Sequence, residues 1–174
     1  MYTAALKYLK KLLGERFKPA RAGGDFEQAP QDAFKNEFPE ICMNGCLFHS
    51  TCAIFKKSQR LGLAKAYFEN PEYYVWLKQI MAVAMLPPKL IKTAFGALLR
   101  ENIFFPRLAD LANFGRLKRY IQKQWVDNKK VPAKMLSVYK LKNATNNGCE
   151  SFHARIKGGV ISEGIFNLVS SSKM

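Results

Sequence analysis

Apolar residues recur at helical spacing along most of this 174-residue chain, and prolines cut the pattern into lengths that suit packed helices. Ala5, Tyr8, Leu9, Leu12 and Leu13 follow i, i+3, i+4, i+7, i+8. That spacing predicts an amphipathic first helix with this stripe inward, Lys7, Lys10 and Lys11 outward, and an end near Gly14. A second helix is expected over Phe26 to Phe38, with Ala29, Ala33 and Phe34 on one side. Pro30 is tolerated there only because it falls in the first turn, and Pro39 stops the helix. From Cys46 to about Phe68 one long helix is expected, with Phe48, Cys52 and Phe55 inside and Gly62 as a soft point. Pro71 to Leu86 would bury Tyr73, Leu77, Ile80, Met81 and Ala84, and Pro87 and Pro88 separate it from Lys89 to Arg100 with Leu90, Ala94, Ala97 and Leu98 inside. Arg107 to Val126 would bury Leu111, Phe114, Leu117, Ile121 and Trp125.

Strand signals are few. Pro19 to Gly24 is a short linker or a strand weakened by Gly23 and Gly24. Ile41-Cys42-Met43 is the better strand candidate, and Met135 to Tyr139 is another. A last helix is expected over Asn147 to Lys157, after which Ser162 to Met174 thins into small polar residues. The expected class is mostly α with few short strands (α+β), with residues 1–157 as the domain and 158–174 as a C-terminal tail.

Composition bounds the partners. With 28 Lys and Arg against 13 Asp and Glu, the net charge is +15, which favours a polyanionic partner such as nucleic acid or an anionic membrane surface. The alternative is a set of solvated helix faces. Met1 to Phe17 mixes apolar and basic positions instead of forming a signal-peptide core, and no run of about 18 apolar residues exists to span a bilayer. The expectation is therefore an intracellular protein without a membrane partner, nuclear in a eukaryote. Cys42, Cys46, Cys52 and Cys149 do not read as a secreted disulfide framework in so apolar a chain.

Three segments combine in order: Gly24-Asp25-Phe26-Glu27-Gln28-Ala29, then Phe38-Pro39 with Gly45-Cys46-Leu47-Phe48-His49, and far downstream Thr145-Asn146-Asn147-Gly148-Cys149-Glu150-Ser151-Phe152-His153. Gly62-Leu63 with Tyr67, Met81 to Pro88, Tyr120, Trp125-Val126 and Ser137-Val138-Tyr139 fall between them. Over about Tyr2 to Lys157 the chain resembles the catalytic domain of Mutator-like element (MULE) transposases. The resemblance implies a partial RNase H-like domain with a helical insertion at about residues 53–130, and DDE-type DNA transposition and recombination. It places Asp25 on the family's second Asp and Glu150 on its closing Glu, as catalytic ligands of Mg2+ or Mn2+. The family's first Asp, on an early strand, has no counterpart, since only one helix is expected before Asp25. The site implied is therefore incomplete, unless upstream sequence or another chain supplies an acid.

The chemistry explains why acids matter. Two-metal phosphoryl transfer needs carboxylate oxygens converging on ions about 4 Å apart, one activating the attacking hydroxyl and the other stabilising the leaving oxygen. Taken without the resemblance, Asp25 also reads as a helix cap and Glu150 as a first-turn acid favoured by the helix dipole.

Two further patterns stand out. Cys46-x-x-His49 and Cys149 with His153 have the residue types and count of a tetrahedral Zn2+ site, or else are buried small apolar groups and a hydrogen-bonded imidazole. Lys56, Lys57 and Arg60, then Arg116, Lys118, Arg119 and Lys123, then Lys129, Lys130 and Lys134 form basic clusters suited to sequence-independent phosphate contacts with DNA. Three functions follow: a transposase-derived DNA-binding protein, an active metal-dependent transposase completed from outside this sequence, or a helical protein-interaction module. Self-association into a homo-oligomer is open to each.

Overall fold

The computed structural model describes residues 1–14 and 16–145. They fall almost wholly in one compact unit, Met1–Ala144, and a second unit begins at Thr145. The expected helix over Asn147 to Lys157 and the tail lie outside the described residues. The described chain is mostly helical with two short parallel strands. No helix among the described residues is long and apolar enough to cross a membrane.

Helix α1, Tyr2–Leu13, packs on α2, Gln28–Glu37. Only Leu6 of α1 is buried, whereas Tyr8 and Leu12 are each 62% exposed. The expected inward stripe is thus rotated, because a helix docked on one neighbour hides only the strip that touches it. Lys10 bridges the pair, donating to the Glu37 carbonyl at 2.8 Å with its ammonium 4.9 Å from the centre of the Phe38 ring.

Strand β1, Arg21–Gly24, pairs in parallel with β2, Cys42–Gly45, in the register Arg21↔Cys42 to Gly24↔Gly45. The bonds Cys42 N to Ala20 O (3.0 Å) and Cys46 N to Gly24 O (2.8 Å) carry the ladder past both strand ends. A parallel pair needs a crossover, and α2 supplies it. Pro19 to Gly24, a linker or a weakened strand by its sequence, holds β1, and the strand expected at Ile41-Cys42-Met43 is present from Cys42, with Ile41 buried just before it.

From Cys46 onward the described chain is all helix and connector. Helix α3, Leu47–Arg60, ends at Gly62, whose φ of 81° reverses the chain before α4, Ala64–Glu69. The single long helix expected to Phe68 is therefore two, since a left-handed residue cannot continue a right-handed helix. Its buried face is Ser50, Ile54 and Ser58, while Phe48 is exposed and Cys52 and Phe55 are half-buried.

Helix α5, Pro71–Ala82, starts with Asn70 capping Tyr73 N (3.1 Å) and Pro71 at the first helical position, and it runs into a 3-10 turn over Val83–Met85. Then come α6 (Pro88–Arg100), α7 (Leu108–Ile121), a π-helical turn over Gln122–Val126, and α8 (Ala133–Leu136). The expected strand from Met135 to Tyr139 is absent. Met135 and Leu136 belong to α8, and Val138 N donates instead to Ala84 O of the 3-10 turn at 2.8 Å. In α6 the buried residues are Ile91 and Phe95, and Leu90 is exposed.

The core is built on four rings. Trp76 meets Phe114 edge-on at 4.7 Å between centres, Phe105 lies 5.2 Å from Phe114, and Tyr73 touches all three. Geometry of this kind adds about 0.5–1.5 kcal/mol per pair to the burial itself. Each polar atom in it has a partner: Trp76 Nε1 donates to Leu98 O at 2.8 Å, and the Tyr73 hydroxyl shares a 2.6 Å bond with Ser58. Burial pushes the Tyr73 hydroxyl from 10.0 up to about 12, against the smaller downward pull of the Ser58 bond.

Two expectations follow. A Cβ on Gly45 would lie 2.3 Å from Cζ of the Phe26 ring, so Gly45→Ala should lower unfolding free energy by about 1–3 kcal/mol, read by denaturant titration. As pH rises from 10 toward 12, the unfolded chain loses the Tyr73 proton while the native chain keeps it, so stability falls across that window. Tyr73→Phe should be less stable at neutral pH but should lose less stability across the same range, as measured by denaturant midpoints at each pH.

Candidate functional site

Asp25 follows directly on β1, at the carboxyl end of the parallel pair, and is half-buried. Parallel α/β units gather ligands outside the carboxyl ends of their strands, because the chain must leave the sheet there and loops converge. At the same end Gly45 closes β2, and Cys46 starts α3.

Phe26 fixes this corner. Its ring covers Gly45 and meets Trp125 edge-on at 5.0 Å, so the residue beside the acid is clamped between the sheet and the π turn. A π turn carries one extra residue per turn, which rotates the side chains that follow it and here leaves Trp125 buried against Phe26.

The Asp25 carboxylate has a local task as well. Its Oδ1 accepts from Glu27 N at 3.1 Å, a turn that leads into α2 without being the N-cap, which is Glu27. The helix-cap reading is therefore not met: Asp25 accepts a backbone N–H within a turn before the helix, and stands at the strand end.

Cys46 is buried and His49 half-buried, one turn apart at the start of α3 and thus on one side of the helix. Glu150, Cys149 and His153 lie outside the described residues. Among the described residues no group of three or more His, Cys, Asp and Glu is placed to hold a metal ion. The side chains described do not by themselves fit a divalent metal.

The basic clusters fall in three places. Lys56, Lys57 and Arg60 end α3, Arg116 and Arg119 lie on the second half of α7 with Lys123 in the π turn, and Lys129 and Lys130 are in the loop before α8, whose Lys134 is also exposed. Lysine and arginine in the last turns of α3 and α7 also complement the helix dipoles. Lys118 points elsewhere: its ammonium bonds the Glu101 carbonyl and sits 4.6 Å from the centre of the Phe114 ring, and burial lowers its pKa more than Glu101 raises it. A separate cleft of about 990 Å³ lies between α1 and the end of α2, lined by Lys10, Lys11, Phe17, Lys18, Glu37 and Phe38 among others. Asp25 does not line it, and its mixture of both charges selects no ligand.

Periodicity did not mark Asn70, whose Nδ2 donates to Phe104 O at 2.9 Å while Oδ1 caps α5; the Asn-Pro pair at 70–71 is the signal that points to it. Asp25→Ala should cost about 0.5–1.5 kcal/mol by removing the turn acceptor, whereas Asp25→Asn, which keeps Oδ1, should cost little; paired denaturation curves read the difference. No family model matches this chain, and no curated protein or solved structure matches it.

Proposed function

We propose that this chain is a transposase-derived DNA-binding protein. On this reading it is the later part of an RNase H-like catalytic domain of the Mutator-like kind, with residues 53–130 as its helical insertion and a metal site lacking the first Asp. The observation that carries the reading is the place of Asp25: directly after a strand, at the carboxyl end of a parallel pair, with helices and connectors following β2 among the described residues. That order of elements agrees with what the motif resemblance implies. Glu150 is the second acid of the proposal. An active recombinase using magnesium or manganese would need a further acid from outside the described residues.

The net charge of +15 suits a phosphate-rich partner. Affinity for duplex DNA should fall linearly in log–log form as salt rises, by ~0.9 for each phosphate neutralised. Fluorescence anisotropy across a salt series checks this, and binding that is flat between low and moderate salt would sink the proposal.

One observation favours a second reading, a protein-interaction module. Phe104 is 76% exposed, Leu108 82% and Leu111 48%, an apolar strip running from the α6–α7 connector onto the outer side of α7. Such strips commonly mark contact surfaces. Unlabelled DNA should compete with a protein partner if one surface serves both; a partner bound with no DNA affinity at all would favour the second reading.

A further inference from the structure

The cations that end α3 and those of α7 are far apart in the chain but adjacent in the fold. Lys57 places its ammonium 5.4 Å from the centre of the Tyr120 ring on α7. Arg60 lies near enough to the Tyr120 hydroxyl to act on it electrostatically. The Gly62 reversal brings the end of α3 against Asn113, whose Nδ2 would be 3.7 Å from a Cβ at Gly62, and Asn113 Oδ1 accepts from Arg116 Nη1 at 3.4 Å. One connected surface thus holds Lys57, Arg60, Asn113, Arg116 and Tyr120.

The two helices that carry it set no exposed acid there. Helix α3 contains no Asp or Glu, and the only acid of α7, Asp110, is buried and paired with Arg107 at 2.8 Å. None of the described ion pairs takes up Lys57, Arg60 or Arg116.

We infer that this α3–α7 surface is the principal DNA contact of the protein, and that it grips the phosphate backbone of a duplex without reading bases. The inference rests on the DNA-binding reading above. From Asn113 to Tyr120 the helix advances ~10 Å, over which a duplex presents about six phosphate charges on its two strands, so several cations can be matched at once. The one aromatic ring of the surface has its face under the Lys57 ammonium, which leaves it poorly placed to stack on an unpaired base as single-strand binders require. Arg and Lys contacts to phosphate carry no base information.

The test compares two variants of the full chain with equal net charge: Lys57→Gln/Arg60→Gln/Arg116→Gln, and Lys129→Gln/Lys130→Gln/Lys134→Gln. Anisotropy on a labelled duplex and on a single strand of the same length gives the salt slope of each. The α3–α7 variant should lose about 3 from the duplex slope, and the loop variant less than half of that. Equal losses in the two variants, or tighter binding of the single strand than of the duplex by the unmodified protein, would overturn the inference while leaving DNA binding itself intact. No duplex binding by the unmodified protein would instead remove the reading beneath it. If the triple variant fails to fold, Arg60→Gln/Arg116→Gln, which alters only exposed residues, should lose about 2 from the slope.

Discussion

The packing of Phe26 between Gly45 and Trp125 joins the two halves of the described fold. A pair of four-residue strands is marginal by itself, since short two-stranded sheets gain too little from their ladder to stand alone. Here the sheet end is held by a ring that needs a residue without a side chain on one side and an indole on the other. Behind it, α8 packs beside β2, and Ser137 Oγ donates to Leu86 O at 2.7 Å, tying the last described helix to the end of the α5 region. The acid at residue 25 is thus carried on a small sheet but located by the helices.

Those helices were legible where the apolar pattern allowed one rotation only. In α5 the buried set is Tyr73, Trp76, Leu77 and Ile80, nearly the stripe that spacing indicates. In α6, Leu90, Ile91, Ala94, Phe95, Leu98 and Leu99 leave two rotations nearly equal, and the position of the neighbouring helices decides for Ile91 and Phe95. Leu111 has inward spacing but is exposed for the same reason: α7 has apolar residues on two sides, and tertiary contacts bury only the side bearing Phe114, Leu117 and Ile121. Gly62 was visible as a weak point, but its full reversal depends on a positive φ that no spacing encodes.

The site was legible to a different degree. That Asp25 stands between a strand and a helix could be read only in part, from the helical pattern after it, because Gly23-Gly24 weakened the strand reading before it; the structure has both elements. The pairing of β1 with β2 could not be read, because parallel strands are matched by a crossover and not by a local turn. Charge clusters showed in the sequence as runs; which of them share a face did not. Lys118 sits within one run yet is drawn to a carbonyl on the far side of its helix, while Lys57 and Arg116, in different runs, end as neighbours through Tyr120 and Asn113.

The shortness of the sheet also has a dynamic meaning. Loop closure does not set this corner apart, since Arg21 and Cys42 lie closer in sequence than Trp76 and Phe114, which join α5 to α7. The difference lies in strands of four residues, with β1 half open to solvent, against a fully buried ring cluster in α5 and α7. The corner bearing the acid is therefore expected to open first, so its backbone amides should exchange with solvent hydrogen ahead of those in α5 and α7.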